Sequence, residues 1–529
     1  MTGTGLLLRL VVRAERVRSL VWILLIVLLG AGLISYINGY FPTWRDLRAY
    51  AEVISANPIF LGLGGPVDEP SIGAMAAWRS GGLLYLLTAW MAMTIVIRHT
   101  RAEEEAGRQE LLLAGTVGRH APLTAALIVA ASASLLAGLL TSCVLIAMGI
   151  ETAGSLAYGA AIAAAGLTFS AVAALAAQLA QSGRNATGLG LLALGVSYLL
   201  RYLGDASGLT WLTWSSPLGW SHLVRAYTAD RWWTLAVSAG ATAIILAVVY
   251  GLTARRDLGA GLLPVRPGHA TGPGLKGPFS LAWRLQRGML AMWAVGVAAA
   301  AALFAGLSGV APRLADQPGR VLEGFIHRYG GPSGNPVDAY LRVIILLLAY
   351  TIALYPVLAT LRLHQEEYSG RAEALLATGV SRAGWAVAHL VVAASGTLAL
   401  LTLGGFVTGL IYSLLLGDVA VDLPRVLLGT LGHVPAAWLV GAIAAFAVGV
   451  LPRLSVALSW AAWGTVVVLG DLLGPLIGLW GWSRAEPFHY TPNTVAGAPF
   501  TALPQLVILA LTAVLAAAAL TRLNRRDFG

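Results

Sequence analysis

Lysine is almost missing from this sequence: Lys276 stands alone among 34 basic residues, and Cys143 is the only cysteine. A phosphate-binding loop needs glycines followed by Gly-Lys-Ser or Gly-Lys-Thr. Lys276 lies between Leu275 and Gly277, so the chain carries no such loop. One cysteine inside an apolar run leaves neither a disulfide framework nor a paired-Cys metal site. The nine histidines are scattered, no His-Glu-x-x-His occurs, and the acids sit at loop ends rather than as a convergent pair. We therefore expect no catalytic residue, bound cofactor or metal site in the chain itself. Charge of either sign is scarce too, at 11% of residues against 58% hydrophobic, with a mean hydropathy of +0.77. A soluble domain usually carries about 25% charged residues, so the composition is that of an integral membrane protein.

What is plentiful is apolar sequence. Runs long enough to cross a bilayer, which takes roughly 20 residues of helix, fall near residues 20–38, 81–97, 123–149, 155–181, 187–203, 235–252, 289–309, 343–361, 385–416, 426–450, 455–479 and 502–520. They show no period-two alternation and are rich in Leu and Ala, so helices are expected rather than strands, because lipid offers the backbone no partners. The fold class is all-α, a polytopic membrane protein of about twelve transmembrane helices. The first run follows arginines as a signal peptide would, but it is long and lacks a cleavage site, and reads as a retained span. Residues 4–19 place Leu6, Leu7, Leu10 and Val11 against Arg9, Arg13 and Arg16, the pattern of an interfacial helix. A cytoplasmic amino terminus puts most of the basic residues on that side, with both termini in the cytoplasm of a bacterial inner membrane. The pI near 9.9 then reflects membrane asymmetry and calls for no nucleic-acid partner.

The most informative stretch, residues 103–119, occurs twice. Glu104, Glu105, Gly107, Arg108, Glu110, Leu112, Leu113, Ala114, Val117 and Arg119 are answered within residues 366–382 by Glu367, Gly370, Arg371, Glu373, Leu375, Leu376, Ala377, Val380 and Arg382, with Tyr368 in place of Glu105. Both copies follow an apolar run. Glu104 with Arg108 and Glu367 with Arg371 have the favourable acid-first i,i+4 spacing, and each is followed by an apolar patch. Such a segment suits docking into a groove of a soluble partner; it also suits a solvated connector whose leucines rest on the membrane, and the duplication favours docking.

Three more landmarks repeat in the same order. Gly64, Gly65 and Pro66 match Gly330, Gly331 and Pro332. Asp205, Trp211, Trp214 and Pro217 match Asp471, Trp480, Trp482 and Pro487, in outer segments expected to re-enter the membrane. Arg255, Arg256 and Asp257 match Arg525, Arg526 and Asp527. The chain therefore reads as two homologous six-helix halves of parallel topology: 1–257, then a Gly- and Pro-rich linker at 258–280, then 281–529. Few charges fall inside the spans, which argues against an ion-coupled pump. His389 is the exception, read as hydrogen-bonded to a neighbouring helix. Arg79, Arg201, Asp205, Arg342 and Asp471 are expected to snorkel to water.

On the duplicated Glu-Glu-x-x-Gly-Arg-x-Glu-like segment and the Arg-Arg-Asp endings, the chain resembles the permease subunits of bacterial ABC exporters, in the fused twelve-span group associated with export of polyketide antibiotics such as tetronasin and with multidrug export. The resemblance implies coupling helices at 103–119 and 366–382 that meet two copies of an ATPase carrying ATP and Mg, and re-entrant helices between the fifth and sixth spans of each half. It implies export; because charged ligands would need partners these spans lack, hydrophobic or amphipathic cargo is expected, along a path between the halves. A proton-coupled secondary drug carrier and a non-transporting scaffold that binds an ATPase are the rival readings.

Overall fold

The computed structural model describes residues 2–40, 43–55, 58–67, 69–113, 115, 117–257, 259, 261–262, 272, 274–306, 308, 326–471 and 482–526. Among the described residues there is no strand, and eleven helices are long and apolar enough to cross a membrane. The protein is an all-helical polytopic membrane protein. The chain divides into two compact units, Met1–Gly268 and His269–Gly529.

The first unit contains the long helices Thr4–Tyr40, Ile72–His99, Ala121–Ala147, Thr152–Leu179, Gly183–Ser207 and Trp233–Arg255. No break separates the arginine-bearing start of the chain from its first span: both lie in one helix of 37 residues. The core is built from small side chains. A Cβ on Gly159 would collide with Ser142 Oγ and the Gly138 carbonyl. The helices Ala121–Ala147 and Thr152–Leu179 thus touch backbone to backbone, and Ser142 Oγ donates across the seam to the Ser155 carbonyl at 2.8 Å. Between helices in lipid, close approach of this kind replaces the hydrophobic drive available in water. Thr152–Leu179 is buried over 78% of its most apolar stretch and Trp233–Arg255 over 11%, so the sixth helix is peripheral.

The second unit contains Pro278–Gly306, Pro336–Ile352 with Leu354–Tyr368, Arg382–Leu416, Val419–Leu431 with Val434–Val450, Ser455–Leu469 and Ala502–Arg525. Its second span is broken at Ala353. Pro356 has no N–H to give the Ile352 carbonyl, the usual cause of such a kink. The first unit has Met93 at the matching place, and its helix runs unbroken from Ile72 to His99. The run expected at 455–479 is described only as Ser455–Leu469, 15 residues long, and most of its remainder lies outside the described residues.

Candidate functional site

The span Ile72–His99 ends at Thr100 and is followed by two short helices, Arg101–Glu105 and Arg108–Leu113. Gly107 joins them at φ +73 with open space where a Cβ would point, so backbone conformation rather than crowding calls for glycine. Gly370 does the same at φ +70 between Leu354–Tyr368 and Arg371–Leu376. The repeated glycine is a hinge between the end of a span and the segment beyond it.

The repeated acids grip the repeated arginines. Glu104 is buried; its Oε2 accepts from Arg256 Nη2 at 2.8 Å and lies 2.9 Å from Arg101 Nη1, and its Oε1 accepts from the Gly259 N–H at 2.7 Å. In the second unit Glu367 accepts from Arg526 Nη2 at 2.5 Å. Arg119 donates to the Arg256 carbonyl, and its counterpart Arg382 donates to the Arg526 carbonyl. Each unit thus clasps the end of its last helix from two sides, through the acid before the hinge glycine and through the arginine that precedes or opens its third span. Two landmarks that looked independent in the sequence are one contact.

This pairing corrects the i,i+4 reading. Arg108 bonds Glu103 through Nε and Nη2 at 2.5 and 2.9 Å, not Glu104, and Glu367 holds Arg526 rather than Arg371. Glu105 Oε2 accepts the Gly183 N–H at 2.8 Å, a carboxylate at the amino end of Gly183–Ser207, where the helix dipole favours it. Tyr368, which replaces it in the second copy, is 88% exposed, so the second segment lacks this tether.

The apolar residues divide as well. Leu375, Leu376 and Val380 pack against the core of the second unit, and Val117 against that of the first, in contact with Gly3. The surface open to a partner is instead Arg108, Glu110, Leu111 and Leu112 in the first copy and Tyr368, Arg371 and Glu373 in the second. The side chain of Leu113 lies outside the described residues, as does Ala114. Leu111, at 78% exposure, was missed in the sequence, where its mismatch with Ala374 concealed it. Glu15 was missed as well: its Oε1 accepts from Arg98 at 2.5 Å and lies 2.9 Å from His99 Nε2, tying the first helix to the end of the second.

At the other end of the first unit, short helices Thr210–Trp214 and Pro217–His222 follow the fifth span. The Leu218 N–H donates to Ser197 Oγ at 2.9 Å. Ser197 lies ten residues before the span's end at Ser207, roughly 15 Å at 1.5 Å per residue, so the chain doubles back along its own span. Trp214 stacks on Trp233, Pro217 opens the second short helix, and Trp211 is exposed. In the second unit Pro487 opens a 3-10 turn, Pro487–Tyr490; Trp480 and the side chain of Trp482 lie outside the described residues.

The expected snorkelling fails at most of these positions. Arg201 is fully buried, donating to the carbonyls of Gly62 and Leu63 at 2.8 and 3.0 Å and pairing with Asp205 at 3.3 Å. Asp205 also accepts from Thr213 at 2.9 Å. Beside them lies a cavity of about 280 Å³ lined by Trp78, Tyr85, Asp205, Thr213, His222 and Arg225 among others. Arg342 is buried against His433 Nε2 at 3.0 Å and Thr491 Oγ1 at 3.1 Å, and Asp471 faces His489 and Arg328. Only Arg79 is exposed, bonded to Tyr50. Buried charge is therefore present. Its partners come from short segments beside the spans, whose carbonyls and hydroxyls supply what a plain helix lacks: the short helix Pro58–Gly64 serves Arg201, and Thr491 serves Arg342. His389 is bonded to Gln286 on Pro278–Gly306 at 3.0 Å, as expected of a histidine satisfied by a neighbouring helix.

Comparison with known proteins places this architecture. Residues 275–523 match the family model for the C-terminal domain of the multidrug efflux system permease Rv1217c. The multidrug efflux system permease protein Rv1217c of Mycobacterium tuberculosis is 40% identical over 536 residues, covering 99% of this chain and 95% of the relative. The chain belongs to the multidrug efflux permease family. The geometry shows which helices its charged segments hold. In each unit the segment is bonded to the last helix, and in the first unit also to the start of the fifth.

Proposed function

We propose that this permease is the membrane subunit of an ATP-driven exporter of hydrophobic or amphipathic compounds, powered by two copies of a separate ABC ATPase that hold the ATP and Mg. The supporting observation is the duplicated clasp. Each charged segment exposes side chains suited to a soluble partner while its carboxylate holds the end of the last helix of the same unit. A push on the segment at residues 103–119 passes through Glu104 to Arg256, and one at 366–382 through Glu367 to Arg526. The charges stay paired while the helices shift, so the segments act as levers and not as loose connectors. The permease sits in the bacterial inner membrane with both termini and both segments in the cytoplasm.

Export is ascribed to the chain because its relative is named a multidrug efflux permease; the ATPase partnership rests on the segments. The test is the double variant Glu110→Arg with Glu373→Arg. Both side chains are exposed, so the permease should reach the membrane folded, lose co-purification with its ATPase and lose ATP-driven dye export. Undiminished co-purification and export would contradict the docking role.

A further inference from the structure

Glu486 takes part in neither clasp, yet it is buried, at 2% exposure. The Tyr350 hydroxyl donates to its Oε1 at 2.9 Å and the Phe488 N–H donates to its Oε2 at 2.8 Å. Both donors are uncharged, and among the described residues no basic side chain pairs with it. Arg342, whose charge reaches Glu486 without a direct bond, is engaged with His433 and Thr491. Capping alone does not account for a carboxyl here. Ser216, which precedes Pro217 as Glu486 precedes Pro487, caps the first unit's short helix by accepting from the Gly219 N–H at 3.0 Å. A hydroxyl suffices there; a buried carboxylate held by neutral donors alone is far costlier.

The position bears on the kinked span. Tyr350 lies three residues before the break at Ala353, and its groups are bonded away from its own helix. Its hydroxyl also accepts from the Asp471 N–H at 3.0 Å, and its carbonyl from Trp463 Nε1 at 2.9 Å. The titratable and charged groups around Glu486 are Asp471 with its partners His489 and Arg328, then Tyr329, Arg342, Tyr350 and His433, whose ring stacks on Phe488. His489 is about one third exposed and links this cluster to water.

We propose that Glu486 is a proton-binding site exchanging one proton with the aqueous phase, and that its protonated form holds the outer segment at residues 482–490 against the kinked span Pro336–Tyr368. Burial pushes the carboxyl up to about 7, with the Phe488 and Tyr350 hydrogen bonds and the Arg342 charge opposing and the Asp471 charge adding. A carboxyl raised in the folded state stabilises fully below its unfolded value, and that contribution is lost as pH rises through about 7. Proton release leaves a carboxylate that is more stable hydrated than buried, which loosens the segment from the kink.

The test uses the full chain in lipid nanodiscs and needs no transport, so its outcome is independent of the energy source. Wild type should show a protonated-carboxyl infrared band that disappears between about pH 5.5 and about pH 8.5, and its thermal midpoint should fall a few degrees more than that of Glu486→Gln over that interval. Glu486→Ser, with the hydroxyl cap of the first unit, provides the same two readings if the glutamine variant does not fold. The same band loss in either variant, or parallel pH profiles for variant and wild type, would overturn the proposal.

Discussion

The clasp in the first unit lends itself to a double-mutant cycle. The Glu104 and Arg256 side chains are only 4% and 9% exposed, and Arg101, at 1%, shares the carboxylate. Glu104→Gln keeps the volume but removes the carboxylate that both buried guanidiniums share, and breaking a buried pair in this way costs about 3–5 kcal/mol. Arg256→Gln strands one carboxylate that still has Arg101, so its cost is smaller, about 2 kcal/mol. Because both changes remove the same interaction, the double variant should be less damaged than the sum, with a coupling of about 1–3 kcal/mol. In the second unit Glu367 and Arg526 are 15% and 20% exposed, so solvent screens the pair and Glu367→Gln should cost about 1 kcal/mol. The assay is unfolding of the purified permease in mixed micelles, read by tryptophan fluorescence, with dye export measured on the same variants. Additive effects, or a larger loss from Glu367→Gln than from Glu104→Gln, would refute the reasoning.

Leu111→Asp should weaken ATPase binding by about tenfold to a hundredfold, the worth of a leucine buried at an interface; Leu376→Asp should instead lower the amount of folded protein, because Leu376 packs on the core. Gly159→Leu places a side chain where Ser142 and Gly138 already stand, and its expected outcome in a membrane-fraction blot is loss of the mature band. Arg201→Leu strands two carbonyls and Asp205 and should destabilise by about 3–5 kcal/mol, whereas Arg79→Leu, at an exposed site, should change the unfolding midpoint little. Equal loss from the two arginine variants would contradict the distinction.

Apolar run length made the helical membrane fold legible, because a bilayer fixes the minimum length of a crossing helix. The duplicated charged segment stood out in the sequence because its residues kept both order and spacing. Contact partners were not. Glu104 and Arg256 are far apart in sequence, and local spacing favoured Arg108, which the hinge at Gly107 in fact aligns with Glu103. The buried arginines were read as snorkelling because a straight helix offers them nothing else. Their partners come from the short helix Pro58–Gly64, for Arg201, and from Thr491, for Arg342, and no periodicity announces either contact. Among the departures between the copies, Tyr368 in place of Glu105 costs the second segment its tether to the fifth span.

The most direct measurement places the purified permease in liposomes with a fluorescent hydrophobic cargo, alone and with its ATPase. The account predicts accumulation against a gradient only when the ATPase and hydrolysable ATP are both present, and none from an imposed pH gradient. Uphill movement by the permease alone, driven by protons without nucleotide, would contradict it.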